Sequence, residues 1–207
     1  MPLSKIDLYK LHKEEYAATR KPALVKISKG WYLAIEGQGA PGTDIFTASI
    51  GALYGVAFTV KMTRKFSGRQ DYTVCKLEAQ WWSDDGQDFA TAPKQAWQWK
   101  LLIRTPDFVT RKEVNDAVAV LLKRGKGREA ERVRLESLSE GKCVQMLHVG
   151  PYEEEPTTIS SMKAFVAPQG LSFQGRHHEI YLSDPRRVAP QKLKTILRMP
   201  VSAHSTE

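Results

Sequence analysis

The chain has 207 residues, 42% of them hydrophobic and 26% charged, with a net charge of +8. That is an ordinary globular composition, enough to bury a substantial core as one large domain or two small ones. No run approaches the roughly 18 apolar residues of a membrane span, and the opening MPLSKIDLYK lacks the apolar stretch of a leader, so a cytoplasmic protein without a membrane partner is expected.

The basic residues are dispersed except around Lys123–Arg134, where Glu129 and Glu131 interrupt them; this reads as a solvated surface, not a nucleic-acid footprint. Cys75 and Cys143 belong to no CxxC pair and are expected to be reduced structural thiols.

In chain order, Asp7–Tyr16 reads as a short helix and Pro22–Ile27 as an extended arm. Trp31–Glu36 is a short apolar strand, and GQGAPGTD supplies a turn ending in a helix N-cap at Thr43 or Asp44. The helix over Ile45–Lys61 is apolar at Ile45, Ile50, Leu53, Tyr54, Ala57 and Phe58. Its GxG is not a dinucleotide fingerprint, because the third glycine is misplaced and no second βαβ unit with an acidic ribose ligand follows.

A strand over Asp71–Trp82 places Leu77, Ala79 and Trp81 on one face and Glu78, Gln80 and Trp82 on the other; a second strand covers Gln95–Ile103. Thr110 and Glu113 form a capping box opening a helix to Lys123, and Glu129–Leu138 is expected to be a further short helical piece.

The last third is the most informative. Cys143–His148 is a strand, HVGPYEEEP turns into an amphipathic helix, and strands follow over His177–Ser183 and Lys192–Met199. Alternation sets His178, Ile180 and Leu182 against His177, Glu179 and Tyr181, so a carboxylate lies mid-strand beside a phenol. On a wet face this has no consequence; on a face closed from water the charge needs a partner, a ligand or a raised pKa.

The two halves are related. Lys100, Arg104 and Pro106 match Lys194, Arg198 and Pro200 at one offset, 198 − 104 = 200 − 106 = 94, and both halves run strand, helix, strand, strand. The predicted fold is α+β: tandem βαββ repeats in one domain over 1–207, forming a curved antiparallel sheet with helices on one face and a ligand cleft on the other. The first repeat spans about 30–106, a helical connector about 110–140 and the second repeat about 142–201. Leu77, Ala79, Trp81, Ile180 and Leu182 are expected to face the helices, and Glu78, Trp82, Glu179 and Tyr181 the cleft.

HVGPYEEEP (148–156), HHEIYLSDPRR (177–187) and PQKLKTILRMPV (190–201), with ALYGVAFTVK, LEAQWW and WQWKLLIRTPD in the first half, resemble the GyrI-like small-molecule-binding superfamily, also seen as the effector domain of multidrug-responsive transcription regulators. The resemblance implies an acidic, aromatic-lined cleft for hydrophobic or cationic small molecules. It is to a stand-alone branch, some of whose members hydrolyse the strained cyclopropane of DNA-alkylating natural products in detoxification or self-resistance. In that branch the catalytic pair is two glutamates, which by motif position are Glu155 and Glu179. This chain departs from it at Lys76–Trp82, on the cleft wall, and in a shorter Gly170–Gly175 turn.

Tyr54, Glu78, Trp82, Tyr152, His177 and Tyr181 are the expected ligand contacts. Glu155, at a helix start, is expected to stay charged, and Glu179, walled by aromatics, to have the raised pKa. One glutamate would activate water, and the other, or a tyrosine such as Tyr152, would donate a proton; sequence does not assign the roles. No cofactor is expected, and His148, His177 and His178 show no metal-ligand spacing. The competing class is a non-catalytic binder of cationic compounds, held by charge and cation–π contact.

Overall fold

The computed structural model describes residues 4–83 and 92–203. The chain divides into two compact units, one of residues 1–12 and 30–138, the other of 13–29 and 139–207.

The first unit contains α1 (Leu8–Leu11), β2 (Gly30–Gln38), α3 (Asp44–Phe66), β3 (Glu78–Trp82), β4 (Gln98–Thr105), α4 (Arg111–Lys123) and β5 (Arg134–Leu138). Its strands pair antiparallel in the order β3, β4, β2, β5. The second unit contains α2 (Lys13–Tyr16), β1 (Ala23–Ile27), β6 (Gly141–Val149), α5 (Glu155–Val166), β7 (Leu171–Phe173), β8 (His177–Tyr181) and β9 (Lys194–Ala203). Its order is β1, β6, β9, β8, with β7 pairing the far end of β9. Each unit therefore holds one strand, helix, strand, strand repeat in the same spatial order, as the sequence predicts.

Two local differences stand out, and one expected element gains a partner. The segment expected to be helical over 129–138 is a 3-10 turn, Arg128–Arg132, followed by strand β5 on the edge of β2. Arg134–Leu138 has only five residues, and edge pairing to β2 satisfies backbone groups that one short helical turn would leave open. The extended arm is β1, which pairs with β6. The strand expected over Asp71–Trp82 is regular only from Glu78.

Thr43 is the N-cap residue of α3, and its hydroxyl donates to the Ala40 carbonyl. This 23-residue helix is long and apolar enough to cross a bilayer, a property no unbroken apolar run in the sequence revealed. In the first unit it is a core helix, burying Phe46, Leu53, Val56, Ala57 and Val60. Phe46 stacks on Trp81 and meets Trp99 edge-on, centroids 5.6 and 5.3 Å away. Since Trp81 opposes Trp99 across β3 and β4, the Ala79 and Trp81 face lies toward α3 and the Glu78, Gln80 and Trp82 face lies away from it.

In the second unit α5 buries Met162 and Val166 against Val144, Leu197 and Met199. Glu179 opposes Leu197, so Glu179 and its face-mates His177 and Tyr181 lie on the α5 side. This overturns the expected placement: Ile180 points away from the helix and Glu179 toward it. The reason is register. Glu78 opposes Leu102, two residues before Arg104, whereas Glu179 opposes Leu197, one residue before Arg198, and an odd shift reverses every side chain on a strand.

Candidate functional site

The site lies in the second unit, at the N-terminus of α5 and the adjoining face of β8. His148 closes β6 and fixes the turn that follows. Its Nε2–H donates to the Pro151 carbonyl at 3.0 Å, which leaves Nδ1 to accept from the Thr158 hydroxyl at 2.9 Å. Gly150 has φ 149°, and a Cβ there would stand 3.5 Å from the His148 ring and 3.1 Å from Glu154 Oε2, so glycine suits this position. A 3-10 turn, Tyr152–Glu154, then delivers Glu155 as the first residue of α5, with Pro156 in the first turn. Glu153 and Glu154 point into solvent, whereas Glu155 is 6% exposed.

Glu155 meets two residues of β8. One oxygen each of Glu155 and Glu179 and one ring nitrogen of His177 all lie within 4.8 Å of one another, and all three residues are buried. Tyr181 donates its hydroxyl to Glu179 Oε2 at 2.6 Å, and His177 Nε2 lies 3.2 Å from Glu179 Oε1. Tyr152 packs edge-on against Tyr181, ring centroids 6.0 Å apart. Glu155 Oε1 is buried and accepts no hydrogen bond from a described donor, while the Glu155 carboxyl shares a side-chain hydrogen bond with Glu179.

For Glu155 the electrostatics overturn the sequence expectation of a charged carboxylate. Burial, and next the charge of Glu179, push the Glu155 carboxyl up to about 10. The helix N-terminus favours its ionised form, but by only about 0.3–2 kcal/mol. Full burial shifts a carboxyl by up to about 3–5 units, at about 1.4 kcal/mol each, so burial wins. The Tyr152 phenol is pushed up to about 12 by burial and then by Glu179 and Glu155. The pair can thus hold one proton between two carboxyls beside a phenol that stays neutral.

Of the expected contacts, Glu155, Glu179, Tyr152, His177 and Tyr181 come together here. Tyr54, Glu78 and Trp82 belong to the first unit. There Glu78 is fully buried opposite Leu102, and its charge, after burial, contributes to raising the Tyr9 phenol; Trp82 and Tyr54 are half-buried, the latter stacked on Phe58 at 6.1 Å. The cysteines are free and buried, and burial pushes the Cys143 thiol up to about 12, as suits inert structural thiols.

Sequence reasoning missed Glu140, which reaches the opposite face of β8. Both its oxygens lie 2.9 Å from His178 Nδ1, and Oε2 accepts from Arg198 Nη1 at 3.4 Å. Nothing in its sequence context, an acid before a glycine turn, distinguishes it. The Glu155, His177 and Glu179 trio was equally hidden from ligand-spacing rules, since 22 residues (177 − 155) separate helix from strand.

The GyrI-like small molecule binding domain matches residues 31–202. A crystal structure of an uncharacterized conserved protein from Listeria innocua is 39% identical with a TM-score of 0.89, the match covering 96% of this chain and all of that one. A second, described as a hydrolase from Listeria innocua, is 38% identical with a TM-score of 0.86 at the same coverage. No curated protein matches the chain. A domain match over most of the sequence, near-complete mutual coverage and the paired strand, helix, strand, strand units lead to one conclusion: the chain belongs to the GyrI-like small-molecule-binding family.

Proposed function

We propose that this protein is a hydrolase that binds planar hydrophobic compounds and opens the strained cyclopropane ring of DNA-alkylating natural products, a detoxification activity. The observation that carries the reading is the meeting of two buried carboxyls in unlike settings. Glu179 accepts a hydrogen bond from the Tyr181 hydroxyl and lies beside His177. Glu155 is buried facing Glu179 and holds the proton.

For a cyclopropane conjugated to a dienone, Glu179 takes a proton from water as the oxygen bonds to a ring carbon. The ring carbon–carbon bond breaks and its electron pair passes into the dienone, which becomes a phenolate. Glu155, or the Tyr152 hydroxyl, protonates that oxygen, so the net change is addition of one water. Proton exchange between the facing carboxyls restores the starting state. The hydrolase description of a relative 38% identical supports the reaction class, and the family match supports the small-molecule ligand.

The test is incubation with a panel of cyclopropane-bearing alkylators, with ring-opened product followed by mass spectrometry. Glu155→Gln and Glu179→Gln should each lose on the order of 10²-fold or more in rate, and the double variant less than the product of the two losses. A second reading, a non-catalytic binder of cations, draws on the edge-on Tyr152 and Tyr181 beside the carboxyls. It requires no product above the buffer rate with wild type and weaker cation capture by both variants, and that pattern would displace the hydrolase.

A further inference from the structure

We infer that His148 and Thr158 are positioning residues of the proposed reaction, clasping the start of α5 so that the Glu155 carboxyl stays against Glu179. Glu155 lies between two points held by one imidazole. The Pro151 carbonyl, four residues before it (155 − 151), accepts from His148 Nε2 at 3.0 Å, and the Thr158 hydroxyl, three residues after it (158 − 155), donates to Nδ1 at 2.9 Å. That helical spacing puts Glu155 and Thr158 on one face, the buried one that continues through Met162 and Val166.

The clasp has a firm base and does what no cap does at this helix end. His148 is 4% exposed and opposes Thr195 of β9, and the Gly150 amide donates to the Leu193 carbonyl at 3.1 Å. Whereas α4 opens on a capping box, the N-cap residue of α5, Glu154, makes no side-chain capping bond. Helix ends without such a bond fray, and fraying here would carry Glu155 away from β8. The groups around its carboxyl are Glu179 and His177 of β8, with Tyr181 on Glu179, and Tyr152 and Glu153 of the preceding turn. Burial is the largest cause of its raised pKa, so readmitting water favours the anion and the proton leaves at lower pH.

The kinetic consequence rests on the hydrolase reading; the position of Glu155 does not, and the experiment reads the two separately. His148→Leu and Thr158→Val are compared with wild type in opening a dienone-conjugated cyclopropane across pH. Without substrate, the Glu155 carboxyl is titrated by carbon-13 NMR on glutamate-labelled protein, with Glu155→Gln assigning its signal. Each variant should lose about 10–10²-fold in kcat with KM little changed. The alkaline limb of the rate profile and the Glu155 titration should both move to lower pH by about one unit or more. Thr158→Ser, which restores the hydroxyl, should recover most of the rate and of the titration. Should His148→Leu fail to fold by circular dichroism, the two Thr158 variants decide. If wild type opens no ring, the hydrolase reading fails and the Glu155 titration still tests the clasp. An unmoved titration in folded variants, or equal losses in Thr158→Ser and Thr158→Val, overturns it.

Discussion

At the scale of single residues, the second unit buries more charge than its catalytic proposal uses. Arg198 is fully buried on the face of β9 away from α5. It donates to Gln145 Oε1 at 3.2 Å, to the Glu15 carbonyl at 2.5 Å and to Glu140 at 3.4 Å, while His178 takes the other side of Glu140. Glu140 joins a guanidinium and an imidazole out of water. Its side chain is 3% exposed, and a buried charge left without its counter-ion costs about 3–5 kcal/mol. Glu140→Ala is therefore expected to lower stability by that amount in urea denaturation, with Glu140→Gln losing less because it keeps an acceptor. A loss below about 1 kcal/mol for the alanine variant would show that the group contributes little. His178 also lies between His177 and Glu179 in sequence, so the same contacts hold β8 from behind the candidate site.

At the scale of an element, α4 shows how a capping motif becomes a tertiary joint. The Thr110 hydroxyl accepts from the Glu113 amide at 3.3 Å while Glu113 Oε2 accepts from the Thr110 amide at 2.9 Å. Glu113 Oε1 then accepts from Arg64 at 2.6 Å and Arg69 at 2.7 Å, tying α4 to the end of α3. Burial alone would raise the Glu113 pKa, but the Thr110 amide and the Arg64 guanidinium outweigh it and hold the carboxyl below its usual range. Because the folded-state pKa is the lower one, this contribution is complete above the ordinary value of 4.5 and fades as pH falls through the depressed value. Glu113→Gln should accordingly flatten the acid limb of the stability curve below pH 4.5, measured by thermal unfolding across pH. Thr110→Ala, which removes only the cap, should cost about 1 kcal/mol. Unchanged acid sensitivity in the glutamine variant would place that sensitivity elsewhere.

At the scale of the whole molecule, chain order and structural membership differ. Residues 13–29 precede the first repeat, yet they complete the second unit. β1 covers the edge of β6, the Ala17 carbonyl accepts from Gln145 Nε2 at 3.1 Å, and the Thr19 carbonyl accepts from the Leu147 amide at 2.8 Å. Correspondingly, β5 precedes the second repeat but pairs with β2 of the first unit. Replacing residues 13–29 by a flexible glycine-serine linker should expose the edge of β6 and strip Arg198 and Gln145 of backbone acceptors. Hydrogen exchange is then expected to rise in β6 and β9, with the β2 and β4 ladder keeping its protection. Faster exchange confined to β2 and β4 would contradict this membership.

Much of this was legible in the residues. The Lys-x-x-x-Arg-x-Pro repeat fixed two strand, helix, strand, strand units, because alternation, turn glycines and the capping box are local signals. Alternation marked Glu179 as a mid-strand carboxylate, and the family resemblance carried by HVGPYEEEP and HHEIYLSDPRR added Glu155. Three features were decided only by tertiary structure. The face of Glu179 depends on a one-residue difference in register between β3–β4 and β8–β9, which no periodicity within a strand records. The raised Glu155 pKa depends on burial against Glu179, a contact across 24 residues (179 − 155) that overrides the local helix-terminus effect the sequence displays. The strand identity of Arg134–Leu138 came from the open edge of β2, since in so short a segment the pairing partner, not intrinsic propensity, selects the backbone conformation.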